Sequence, residues 1–199
     1  MPVEIRMNTE VTTELAKEIG ADVIIAALGS RPVKPGISGI DGENVMLADA
    51  AYVNPEAVGD TVVILGGGFV GMELAIYLHS LGKNVQVVEM AAAQNVGKNS
   101  LHGGAVMSKL GEDGIPVHFS TKAVDITAAG VQCETPDGEA FFKADTVIYA
   151  VGQKSLAEEA MAFYDCSTYF YPIGDCVKPG TIADANLQAK SVAEDIGRF

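Results

Sequence analysis

Thr61-Val62-Val63-Ile64-Leu65-Gly66-Gly67-Gly68-Phe69-Val70-Gly71-Met72-Glu73 is the stretch that decides the fold of this chain. Its β-prone start runs straight into three glycines, as a buried strand runs into a tight turn. Gly66, Gly68 and Gly71 satisfy G-x-G-x-x-G. The pattern predicts a helix over 69–81 with Val70, Leu74, Leu78 and Leu81 on one face and Gly82 as the stop. Val85 to Val88 reads as the next strand and ends in Glu89. Strand, helix and strand within about 30 residues make a βαβ unit, hence a parallel pair. Each part has a task toward a dinucleotide. Gly66 permits the turn, Gly68 leaves room for a pyrophosphate, and Gly71 lets the helix pack closely on the strands. Amides at the helix start, at Phe69 and Val70, face the anion. Glu89 follows Gly66 at roughly the 20-residue spacing at which an acid accepts the adenosine ribose hydroxyls.

A carboxylate repels a 2′-phosphate, and no Lys or Arg follows Glu89 until Lys98, so NADH is favoured over NADPH. Glu73 has two readings: an acid stabilising the start of a helix, or a group near the nicotinamide amide.

Before the turn, Val3 to Met7 alternates and reads as a half-buried strand. Thr12 or Thr13 caps a short helix carrying Leu15 and Ile19 and ended by Gly20. Val23 to Leu28 is a continuous apolar run, as expected of a strand covered on both faces. From Pro32 to Gly59 a Pro-, Gly-, Asn- and Asp-rich connector holds a short helical patch near Ala48 to Val53. After Glu89, a weaker helix from Ser100 to Leu110 leads to a strand at Val117 to Phe119. Residues 123–150 then change rhythm: short alternating segments and the turn Pro136-Asp137-Gly138 predict an antiparallel meander. It ends in the buried strand Thr146 to Gly152. Tyr171-Pro172-Ile173-Gly174-Asp175 and a C-terminal helix from Ile182 to Ile196 close the sequence.

Composition narrows the function. Thirteen basic residues against 26 acidic ones give a net charge of −13, which repels phosphate backbones and anionic lipid, so no nucleic-acid or membrane partner is expected. The 48% hydrophobic content suffices for a real core. No apolar run reaches the roughly 18 residues of a membrane span. Cys133, Cys166 and Cys176 are odd in number and form no C-x-x-C, which speaks against a metal site or a redox disulfide and makes the cytoplasm the expected location. None of the six tyrosines is followed four residues later by lysine, which disfavours short-chain dehydrogenase chemistry. His79, His102 and His118 share no spacing, and Cys176 reads as a small buried residue. No catalytic acid or base is expected, because hydride transfer depends on positioning two rings.

The segments Ala21-Asp22-Val23-Ile24-Ile25-Ala26-Ala27-Leu28-Gly29-Ser30-Arg31-Pro32, Ile64 to Glu73, Ala150-Val151-Gly152-Gln153-Lys154 and Ile173-Gly174-Asp175-Cys176-Val177-Lys178-Pro179-Gly180-Thr181-Ile182 carry a family resemblance. Together they resemble the two-dinucleotide-binding-domain flavoproteins, specifically the reductase half of NADH:flavin oxidoreductases similar to 2,4-dienoyl-CoA reductase and trimethylamine dehydrogenase. The resemblance implies an α/β fold: a three-layer FAD/NAD(P)-binding, Rossmann-like domain with a β-meander crossover, inserted into a partial second domain of the same type. It implies that Gly152 belongs to the cofactor-binding set, that Gly174 and Asp175 meet the FAD ribityl chain, and that the helix start at Thr181 and Ile182 approaches the flavin ring. Read from residue types alone, the alternative for Asp175 is a simple turn aspartate after glycine.

Three family features are missing from these residues: a second G-x-G-x-x-G, the N-terminal flavin-binding barrel and its cysteine cluster. The chain therefore reads as a C-terminal fragment whose partners are that barrel and the remainder of the FAD domain. Its expected parts are residues 1–58, a partial FAD-type domain and connector; 59–155, the NAD(H)-binding domain; and 156–199, a return to the FAD-type domain with the C-terminal helix. The expected function is an NADH-binding module of a flavin-dependent oxidoreductase, with tight FAD binding assigned to the parent enzyme rather than to these residues alone. The alternative is a nucleotide-binding module without catalysis, or an inactive fragment lacking the FAD pyrophosphate site.

Overall fold

Apolar residues of alternating direction build the central sheet in the computed structural model, which describes residues 3–93 and 101–198. Strand β4 (Thr61–Leu65) is flanked on one side by β5 (Asn84–Val88) and β6 (Val117–His118). On the other side lie β10 (Thr146–Tyr149) and β3 (Val45–Leu47), and every pairing is parallel. The period of two divides each strand between two cores. Val62 and Ile64 of β4, with Val85 and Val87 of β5, pack against Met72, Leu74, Ala75 and Leu78 of helix α3 (Phe69–Ser80). Ala48 and Ala51 of α2 (Ala48–Val53) and Val106 and Leu110 of α4 (Leu101–Glu112) complete that layer.

Val63, Leu65, Val88 and Val147 face the opposite way, against an antiparallel meander. Its strands are β7 (Lys122–Thr127), β8 (Gly130–Thr135) and β9 (Gly138–Lys143). Helices, parallel sheet and meander thus form three layers. Together they make one compact unit, Pro32–Gly152. The meander, the helical patch at Ala48–Val53 and the glycine-turn helix match the sequence expectations.

The second unit comprises Met1–Arg31 with Gln153–Phe199. Helix α1 (Thr13–Ile19) is capped by the Thr12 hydroxyl, which accepts the Leu15 N–H, and ends on Gly20 in the left-handed region at φ 64°. Strand β1 (Val23–Ala26) pairs in parallel with β12 (Tyr169–Pro172). A second short pair joins β2 (Ser30–Pro32) to β11 (Gln153–Ser155). Helices α5 (Ala157–Met161) and α6 (Ile182–Asp195) complete the unit. Its small core gathers Ala26, Ala160 and Cys176 with Leu156 and Phe170.

Several expectations are corrected. Val3 to Met7 is not a strand: it pairs with no strand among the described residues, and Val3 and Ile5 are 80% and 76% exposed. The strand at Val23 stops at Ala26 and is not covered on both faces, since Ile25 is 46% exposed in a two-stranded sheet. Helix α3 buries Gly71, Met72, Leu74, Ala75 and Leu78, while Val70 and Leu81 face outward. A helix this apolar all round offers several faces, and the sheet selected the one carrying the glycine. The connector holds strand β3, three residues long, and belongs to the compact unit that opens at Pro32. Ser100, the expected start of the weaker helix, lies outside the described residues.

Candidate dinucleotide site

Chain order and strand order part company between β4 and β10. From β4 the chain steps outward through β5 to β6, and it later returns to place β10 on the other flank. In an open parallel sheet this reversal opens a crevice at the strands' carboxyl ends, where ligands bind. The glycine turn follows the carboxyl end of β4.

Each glycine has a measurable reason. Gly66 adopts φ 113°, donates its N–H to the Val88 carbonyl at 2.9 Å, and a Cβ there would sit 2.5 Å from the Ala150 oxygen at the end of β10. A Cβ on Gly71 would lie 2.0 Å from the Gly66 oxygen, so helix and turn touch backbone to backbone. Gly68, the residue before α3, is exposed, with nothing within 4 Å of a built Cβ, and no side chain caps the helix. The first amides of α3 are thus left without a side-chain cap beside an unobstructed position, the arrangement that receives an anion.

The middle glycine carries a demand that the motif alone does not express. A Cβ on Gly67 would come within 2.9 Å of the Glu89 Cβ, and the Gly67 N–H donates to Glu89 Oε2 at 2.6 Å. Glu89 Oε1 accepts the Ala91 N–H, also at 2.6 Å. Two backbone amides thus fix the carboxylate at the end of β5, with acceptor capacity left for hydroxyl donors. Lys98, the first basic residue after Glu89, lies outside the described residues.

On the exposed flank of α3, Glu73 Oε1 lies 2.6 Å from His102 Nε2 of α4, and the Phe69 ring stacks at a tilt on the same imidazole, centroids 5.0 Å apart. Tyr52 of α2 stacks on Tyr77, and its hydroxyl approaches the Val70 carbonyl at 3.5 Å. Burial, reinforced by the nearby Glu73 charge, pushes the Tyr52 hydroxyl up to about 12, so it stays a neutral donor. Gly152, after β10, holds φ 114° and accepts the Val33 N–H at 2.9 Å.

In the other unit Gly174 adopts φ 69° and donates its N–H to Gln188 Oε1 at 2.7 Å. Asp175 accepts the Gly180 N–H at 3.2 Å through Oδ1 and the Ser30 hydroxyl at 3.5 Å through Oδ2. Thr181 caps α6 reciprocally with Asp184, and Ile182 is 83% exposed. The sequence-named residues thus fall into two groups: Gly66 to Glu89 with Gly152 in one unit, and Gly174 to Ile182 in the other. Gly67 and Ala91 are not among the residues the sequence reading named for the site, and His102 enters that reading only as one of three histidines with no shared spacing. Only Gly67 had a signal, a glycine at a position where the motif accepts any residue.

The three cysteines are free and buried. Cys176 sits in the core with its thiol directed at the Ala26 and Ile173 carbonyls, and burial pushes the Cys133 thiol up to about 11. His118 packs on Phe142 and Gln86, and burial lowers its pKa. Among the described residues no group of three or more His, Cys, Asp or Glu is placed to hold a metal, and no helix is long and apolar enough to cross a membrane.

A parallel sheet with a glycine turn at its switch point and a meander on its far face defines an FAD/NAD(P)-binding domain of Rossmann type. The chain belongs to the pyridine nucleotide-disulphide oxidoreductase family, whose sequence profile matches residues 3–164. It is 30% identical to an NADH oxidase of Thermoanaerobacter brockii over 98% of its length and 33% identical to a cinnamate reductase of Clostridium sporogenes, also over 98%. It spans 31% and 29% of those proteins, about a third of each. Among solved structures, a 2-naphthoyl-CoA reductase complexed with 2-naphthoyl-CoA superposes with a TM-score of 0.82 at 25% identity. That match covers 92% of this chain and 28% of the other. A histamine dehydrogenase from Rhizobium sp. 4-9 matches with a TM-score of 0.75 at 20% identity, over 96% and 33% of the two chains, and bears on the fold alone.

Proposed function

We propose that these residues form the NADH-binding module of a flavin-dependent oxidoreductase of the kind represented by 2,4-dienoyl-CoA reductase and trimethylamine dehydrogenase. The observation that carries the reading is the glycine turn at the switch point, with its open helix start and a carboxylate fixed beside it by Gly67 and Ala91. In this reading Gly66, Gly68, Phe69, Val70 and Gly71 hold the pyrophosphate against backbone amides, and Glu89 accepts the adenosine ribose hydroxyls. Glu73 serves the nicotinamide carboxamide, and Gly152 borders the crevice. NADH is preferred because a 2′-phosphate would meet the Glu89 carboxylate. Both relatives' names, an NADH oxidase and a cinnamate reductase, denote redox enzymes, and the first names NADH.

Gly174, Asp175, Thr181 and Ile182 are assigned to FAD, the group that supplies the hydride acceptor when bound. Asp175 has acceptor capacity for ribityl hydroxyls, and the start of α6 favours negative charge on a neighbouring ring. The turn that holds the FAD pyrophosphate is not among these residues and belongs to a flavin-bearing segment outside them. Three free cysteines favour a reducing compartment, so the cytoplasm is the proposed location. The second reading, a module that holds NADH without catalysis, draws on that same missing turn. Flavin content after incubation with FAD, together with NADH-dependent bleaching of the flavin, separates the two. Bleaching supports the oxidoreductase module, whereas NADH binding with no retained flavin favours the second reading for this chain.

A further inference from the structure

We infer that His102 is a positioning residue for the nicotinamide end of the dinucleotide, holding the Glu73 carboxylate and the Phe69 ring in place beside the glycine turn. The inference rests on the reading that this turn binds NADH. Phe69 and Glu73 are four residues apart on α3 and so share one helix face, next to the turn. Glu89 is already held at the end of β5 by the Gly67 and Ala91 amides. With Glu89 assigned to the adenosine ribose and Glu73 to the nicotinamide carboxamide, the Phe69–Glu73 face is the part of α3 assigned to the nicotinamide half.

His102 touches both of them. Its Nε2 is 2.6 Å from Glu73 Oε1, and its ring lies 5.0 Å from the Phe69 centroid at 54°. An ionised carboxylate only accepts, so Nε2 carries the proton of this bond, and the carboxylate keeps acceptor sites for the two N–H groups of a carboxamide. Unaided, a glutamate side chain samples many rotamers, and ordering it on binding costs affinity. A bond from α4, a separate element packed on α3, removes part of that freedom beforehand. The pair is also open to solvent, with side-chain exposures of 59% for His102 and 42% for Glu73. Such a pair adds little to folding.

The test is calorimetric titration of the 199-residue chain with NADH and with ADP-ribose, which has the same adenosine and pyrophosphate but no nicotinamide. His102→Ala is expected to weaken NADH about three- to tenfold, the value of one net hydrogen bond, and to leave ADP-ribose unchanged. His102→Gln, whose amide can donate the same bond, is expected to recover part of the loss. Thermal melts of both variants establish that they fold. Equal weakening of both ligands would overturn the inference in favour of a helix-packing role, and so would unchanged NADH affinity in His102→Ala. If the unaltered chain binds neither ligand, the glycine-turn reading itself fails and the inference falls with it; ADP-ribose binding by the unaltered chain isolates the His102 question.

Discussion

A methyl group separates two kinds of glycine in the turn. At Gly71 a Cβ would stand 2.0 Å from a backbone oxygen that cannot swing away, whereas at Gly68 it would meet nothing within 4 Å. Gly71→Ala is therefore expected to lower stability by about 1–3 kcal/mol, the usual cost of overpacking, as read in urea denaturation. Gly68→Val should melt close to the unaltered protein yet lose NADH, because its side chain enters the space assigned to the pyrophosphate. Normal NADH binding by Gly68→Val would remove the pyrophosphate from this turn. Glu89→Arg should reverse the preference toward NADPH by exchanging a repelling carboxylate for a phosphate partner. Parallel titrations with the two nucleotides measure this, and an unchanged ratio excludes Glu89 from the ribose site. At this scale the sequence exposed Gly66, Gly71 and Glu89 through spacing alone. It did not expose His102, whose contact with Glu73 depends on how α4 docks on α3.

Helix α6 shows what local chemistry settles without a core. None of its residues is buried, and its start is defined by Thr181 and Asp184, each bonding the other's backbone N–H. The Thr181 backbone N–H, and then its hydroxyl, hold the Asp184 carboxyl below the usual carboxylate range. A carboxyl depressed in the folded state contributes stability that is complete above its unfolded pKa and is lost as pH falls through the folded value. Helical circular dichroism should therefore decline as the pH drops below about 4, and Asp184→Asn should blunt that dependence. An identical acid profile in Asp184→Asn would show that the box does not govern the helix start. Thr181→Ala should cost about 1 kcal/mol.

Elements marked by caps or strict alternation, such as α1 with Thr12 and Gly20 and the meander around Gly130 and Pro136-Asp137-Gly138, were legible for this reason. Val3 to Met7 also alternates, but alternation becomes a strand only where another strand offers its edge. Val45–Leu47 is the converse: three residues too short to signal, held by the edge of β10.

Across the whole molecule, two compact units differ in how fully they bury their residues. The unit Pro32–Gly152 has two cores, one on each face of a five-stranded parallel sheet. The other unit gathers three buried residues into its core and leaves Ile25, Leu28, Ile182 and Leu187 exposed. The sequence pointed to the first unit's layers because each βα step carries its own periodicity. It could not reveal the thin cover of the Val23 strand, since a continuous apolar run looks the same whether two faces are covered or one. On this reading the Pro32–Gly152 unit binds a dinucleotide through its glycine turn. The most direct measurement is a calorimetric titration of the flavin-free protein with NADH and then NADPH. One NADH per chain, bound more tightly than NADPH, is the expected result. Absence of binding by either nucleotide to the folded protein would contradict it.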